Sequence, residues 1–284
     1  MFVVQCIVRY IHMFYVYALV FMFGASLGSF VNVLIDRVPA GRSIWIDRSA
    51  CDFCHHELRW YELIPFISYV LQRGKCRSCG HSLSITYAVM EFLTACLVTL
   101  FVLSTPLPYE PIVFLQLVFI LILLAIAIVD LKSYLIPQQF IYALIVIFCL
   151  WYVGEGLMQF AHNGFQFTWF VTWISEMLHH VVTATLASGF FYALVVITKG
   201  KGMGGGDVQL AFVMGLYLTG MQTLIAVYSA FVIGALFGLL LIVSGKRKFG
   251  QVIPFGPFLA LGSYLALIYG SQLLQFYLTV ITFQ

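Results

Sequence analysis

Apolar runs long enough to cross a lipid bilayer recur along almost the whole chain, and no other feature limits its fold as much. A span needs roughly 17–25 predominantly apolar residues. Runs near that length occupy 14–35, 86–104, 112–129, 138–153 and 179–198, two of them marginally short. The stretch 207–243 is too long for one helix, Thr219-Gly220 offers a tight turn that divides it, and a last run covers 255–283. With 62% of the residues hydrophobic and 9% charged, an ordinary soluble domain is excluded. The expected fold is an all-α polytopic membrane protein with about eight transmembrane helices.

Basic loops are retained on the cytoplasmic side of a membrane. With the N-terminus outside, every Lys and Arg except Arg9 falls in a cytoplasmic loop. The net charge of +3 is therefore a topology signal and not a nucleic-acid footprint. Gly24-Ala25-Ser26 are small, but the run around them is long and little positive charge precedes it, so no cleaved signal peptide is expected. Met13 is a candidate start, because residues 2–12 interrupt the apolar pattern. Between 154 and 177 lies a stretch without Lys or Arg, dotted with Phe160, Trp169, Phe170 and Trp173, which reads as an interfacial extracytoplasmic loop.

The chain divides into an N-terminal segment and first span (1–36), a polar block (37–85) and a membrane core (86–284). The polar block is too short for a conventional hydrophobic core and needs a staple. Cys51, Cys54, Cys76 and Cys79 form two C-x-x-C pairs separated by 21 residues. In a reducing cytosolic loop, four such thiols suit tetrahedral zinc; two disulfides or free thiols are the alternatives. Four sulfur ligands would leave no open coordination position, so such a zinc would be structural. His55, His56 and His81 follow the pairs and could stand in for a cysteine. Cys6, Cys96 and Cys149 lie in apolar segments, where cysteine behaves as a small hydrophobe.

Two carboxylates stand at the ends of apolar runs, Asp130 after 112–129 and Asp207 after Gly204-Gly205-Gly206. A carboxylate at that depth needs a partner or a task. Asp207 could cap its helix and Asp130 could pair with Lys132 in headgroup water. Together they suit an aspartyl protease dyad, in which two close carboxylates share one proton and activate water. Gly204, Gly205 and Gly206 would let an extended substrate backbone approach Asp207. Glu91 is a third acid within an apolar run, and Asn32 is expected to hydrogen-bond between helices. Gly24-x-x-x-Gly28 and Gly234-x-x-x-Gly238 read as close helix crossings.

In order along the chain, residues 24–39, the cysteine block with Trp60-Tyr61-Glu62-Leu63-Ile64-Pro65, Asp130 with Ile136-Pro137, Gly204-Gly205-Gly206-Asp207 and Pro254-Phe255-Gly256-Pro257 resemble the type IV prepilin peptidases, membrane aspartyl proteases of the G-x-G-D class. Asp52, Gln138 and Gln209 depart from the usual pattern, none at a dyad or ligand position. The resemblance implies cleavage of the basic leader of prepilins or pseudopilins at the cytoplasmic face of a bacterial inner membrane. It also implies methylation of the new N-terminal amine from S-adenosylmethionine, supported by the zinc-bearing loop. A proton-coupled transporter using the same carboxylates and a non-catalytic assembly factor are the competing readings.

Overall fold

A computed structural model describes residues 2–51, 53–105, 110–164, 166–200, 202–246, 248, 251 and 253–282. Asp52 and the side chains of Cys6 and Arg9 lie outside that description. Nine α-helices carry the described chain: α1 Phe2–Arg37, α2 Ile67–Leu71, α3 Ile85–Ser104, α4 Pro111–Ser133, α5 Gln138–Asn163, α6 Phe167–Ile197, α7 Gly205–Tyr217, α8 Gly220–Val243 and α9 Gly256–Thr282. Seven of them (all but α2 and α7) are long and apolar enough to cross a membrane. The eighth expected span, α7, has 13 residues. At 1.5 Å per residue it is about 20 Å long, shorter than the hydrocarbon core.

The stretch 154–177 differs from its expectation. Instead of an interfacial loop, α5 continues to Asn163 and α6 starts at Phe167, with a turn at Gly164, whose φ is 65°. The aromatic residues that suggested a loop lie on helices, where Trp169 and Trp173 stack at 6.3 Å. The divide in 207–243 falls where expected. Thr219 caps α8, its hydroxyl accepting from the Gln222 N–H at 3.4 Å while Gln222 Oε1 accepts from the Thr219 N–H at 3.1 Å.

The chain forms two compact units, residues 1–113 and 114–284. In the first, α1 packs along α3. Gly24 and Gly28 make this possible, because a Cβ on either would lie 2.9 Å from Ala95 Cα or 2.7 Å from Glu91 Cα. Asn32 Nδ2 donates to the Tyr87 carbonyl at 3.1 Å, the interhelical bond anticipated for it. The connection between these helices holds a 3₁₀ turn, Trp60–Glu62, and the short α2.

Among the spanning helices of the second unit α4 is the most enclosed, with 61% of its most apolar window buried against 11% for α8. Phe119 of α4 stacks on Tyr217 of α7 at 4.5 Å, and the Tyr217 hydroxyl donates to the Leu144 carbonyl of α5 at 2.8 Å. The tightest crossings are at Gly215, against Ala184 of α6, and at Gly262, against Ala226 of α8. A Cβ added at Gly234 or Gly238 would meet side chains at ordinary distances, Phe258 at 3.4 Å and Ile253 at 3.6 Å, rather than another helix backbone.

Candidate active site and metal cluster

Helix ends position both aspartates, and both lie in the second unit. Asp130 is in the last turn of α4 and is 5% exposed. Its Oδ2 accepts the backbone N–H of Gly256 at 3.0 Å. Phe255 begins α9 through its carbonyl, which accepts from the N–H groups of Phe258 and Leu259, so the Gly256 N–H is one of the donors that a helix start leaves without an internal partner. A side chain at 256 would prevent this contact, since a Cβ there would lie 2.7 Å from Asp130 Oδ2.

Asp207 is the third residue of α7 and is 8% exposed. Its Oδ2 accepts the Gly204 N–H at 3.2 Å, and its own N–H donates to the Gly204 carbonyl at 3.2 Å. The capping alternative is therefore half realised: Gly204 is the cap residue, and Asp207 reaches back to it from inside the helix. Asp130 acts electrostatically on Asp207. Among the described residues neither forms an ion pair with Lys, Arg or His. Each carboxylate is thus held at the positive end of a helix by one backbone donor. Two buried carboxylates that feel one another's charge resist ionising together, which suits one as proton donor and the other as base toward water.

The glycines before Asp207 differ in their surroundings. Gly205 has open space where a side chain would be. Gly206 packs on Ile136, whose Cβ would be 3.1 Å from an added Cβ, and this contact fixes the start of α7 beside the segment that follows α4. Gly256 received no role from the sequence. A glycine between Pro254 and Pro257 at the head of an apolar run was the available signal, since it marks a helix start where the backbone must be approached closely.

In the first unit, Cys51, Cys54, Cys76 and Cys79 bring their sulfurs within 4.8 Å of one another. Two copies of one turn do this. The Cys51 N–H donates to the His56 carbonyl and the His55 N–H to the Cys51 carbonyl; Cys76, Gly80 and His81 repeat the pattern. The turn needs a positive φ at its fifth residue, 71° at Gly80 and 54° at His55. No disulfide joins the described cysteines. The Sγ separations of 4.0 Å for Cys51 to Cys79 and 3.9 Å for Cys54 to Cys76 match the roughly 3.8 Å edge of a tetrahedron with 2.3 Å zinc–sulfur bonds. Backbone N–H groups of Cys54 and Phe53 pull the Cys51 thiol down to about 7. The Cys79 thiol, although the His81 N–H favours its thiolate, is pushed up to about 12 by desolvation and by the three neighbouring sulfurs. Four sulfurs this close cannot all carry charge without a cation. The histidines are not in the cluster; His81 stacks on Phe53 at 4.4 Å.

Comparison with known proteins finds matches in both units. Residues 22–105 match the bacterial peptidase A24 N-terminal domain, and residues 117–239 match the type IV leader peptidase family. A prepilin leader peptidase/N-methyltransferase of Bacillus subtilis (strain 168) is 34% identical over 263 residues, covering 92% of this chain and 97% of the relative. Relatives with the same name in Aeromonas salmonicida (strain A449) and Stutzerimonas stutzeri are 28% and 29% identical, over 93% and 90% of this chain and 94% and 91% of their own lengths. No solved structure matches the chain. Both parts of the chain match, and identity to the Bacillus relative extends over nearly all of both sequences, so the chain belongs to the type IV leader peptidase family.

Proposed function

We propose that this chain cleaves the basic leader from prepilins or pseudopilins with Asp130 and Asp207 as an aspartyl dyad, and methylates the new N-terminal amine from S-adenosylmethionine. The observation that carries the cleavage reading is the pair of buried carboxylates, each held by a backbone N–H at a helix start and unpaired with any cation among the described residues. One carboxylate takes a proton from the attacking water while its protonated partner polarises the scissile carbonyl. Gly204 and Gly205 lie along the substrate backbone, and Gly206 keeps α7 seated on Ile136. The family and its named relatives support this reading over a transporter or a scaffold.

Cys51, Cys54, Cys76 and Cys79 hold zinc in this reading, and the sulfur spacing fits it. The ion supplies folding free energy to residues 37–85, a block without a core of its own. The basic loops orient the chain so that the dyad faces the cytoplasm across the inner membrane, with residues 86–284 as the peptidase core. Purified protein incubated with a full-length prepilin and S-adenosylmethionine, read by product mass, tests the whole reading. Loss of the leader and gain of one methyl group are expected, with cleavage abolished in Asp207→Ala. An intact prepilin in the presence of folded wild-type protein would overturn the reading.

A further inference from the structure

One half-buried acid, set within an apolar helix of the first unit, takes no part in the dyad or the thiol cluster. Glu91 lies in α3, six residues into a helix long and apolar enough to span, about 9 Å from its start. Its Oε2 accepts the backbone N–H of Phe66 at 2.7 Å. Gly28 brings the α1 backbone against Glu91, where a Cβ would lie 2.7 Å from Glu91 Cα. Phe66 holds a φ of 60°, which residues bearing a side chain seldom adopt, so strain is concentrated next to this carboxylate. Two oxygens offer about four acceptor sites, and this one bond leaves others free. Among the described residues no Lys, Arg or His pairs with Glu91. A carboxylate at this depth without a counter-ion is costly and marks a site for one.

We propose that Glu91 binds the newly exposed α-ammonium of the cleaved substrate and accepts its proton for methyl transfer. This rests on the proposed function, whose first reaction creates that ammonium at the end of a hydrophobic segment, at the polar edge of the membrane. The ammonium has no lone pair and cannot accept a methyl group. Transfer of one proton to a Glu91 oxygen frees the pair, and the nitrogen then bonds to the methyl carbon of the sulfonium donor. The carbon–sulfur bond breaks with its electrons passing to sulfur, leaving a neutral thioether and a methylated ammonium. The Phe66 N–H ties the carboxylate to the cysteine-bearing connection, beside the close approach of α1 to α3 at Gly28.

Glu91→Gln is the informative variant, because its amide oxygen can still accept the Phe66 N–H while the charge and the base are lost. In the full-length protein, methyl transfer is expected to fall by about 100-fold or more, with leader cleavage unchanged. A synthetic apolar peptide carrying the mature pilin N-terminus gives a second readout. In detergent, wild-type protein should bind the free-amine form about tenfold more tightly than the N-acetylated form, a preference absent in Glu91→Gln. Methyl transfer at the wild-type rate by Glu91→Gln, with loss only in Glu91→Ala, would overturn the proposal and leave Glu91 as a tie for Phe66. Equal wild-type binding of the two peptides would overturn it as well. A Glu91-dependent amine preference in a protein that transfers no methyl group would uphold the amine site and remove the methyltransferase reading.

Discussion

The thiol cluster and the carboxylate pair are assembled in opposite ways. Each half of the cluster is a turn closed by hydrogen bonds over six residues, and the same turn is used twice. The carboxylate pair has no such local unit. Asp207 is held by Gly204, three residues away, but Asp130 depends on Gly256, 126 residues further along the chain. A ligand motif can therefore be read from spacing, whereas a carboxylate's partner depends on which helix ends meet. Damage should follow the same division: substitutions near the cluster should act on the metal and its block, and substitutions around the pair on cleavage.

The largest test removes the carboxylates. Asp130→Ala and Asp207→Ala should each lower leader cleavage by roughly 10³-fold or more, with the thermal midpoint and metal content unchanged. Strongly unequal losses would show that the two do not act as a unit. Next is Gly256→Ala, which places a Cβ 2.7 Å from Asp130 Oδ2. A displacement of that order should reduce kcat by about 10- to 100-fold with little change in KM, and methylation of an already cleaved pilin should continue at the wild-type rate.

Metal removal probes the other region. Cys76→Ser, or treatment with a strong chelator, should release the ion and open residues 37–85 to proteolysis, while cleavage by the dyad falls by no more than about fivefold. A loss as large as that of the aspartate variants would break the comparison and make the cluster part of the cleavage machinery. The smallest effect is expected at Gly205, where an added Cβ meets nothing within 4 Å. Gly205→Ala should leave stability within about 0.5 kcal/mol of wild type, and any change should appear in KM for prepilin.

Much of this protein is legible in its sequence because lipid makes local demands. A backbone inside a bilayer must satisfy its own hydrogen bonds, so apolar length alone announces α1, α3, α4, α8 and α9. The same locality made Cys51, Cys54, Cys76 and Cys79 readable as one group and Asp130 and Asp207 readable as acids that need a reason. Where length and composition stopped being decisive, the sequence reading weakened. The aromatic stretch 154–177 looked like an interfacial loop, yet α5 and α6 run through most of it. The sequence by itself determined a chain of membrane helices with a cysteine-stapled connection and two conspicuous carboxylates. Only the tertiary structure decided that α9 begins against Asp130, that Gly206 seats on Ile136, and that Gly215 and Gly262 mark the tightest helix crossings in the second unit. Those contacts join residues distant along the chain through the faces and ends that helices present to one another, which a spacing of 3.6 residues per turn does not encode.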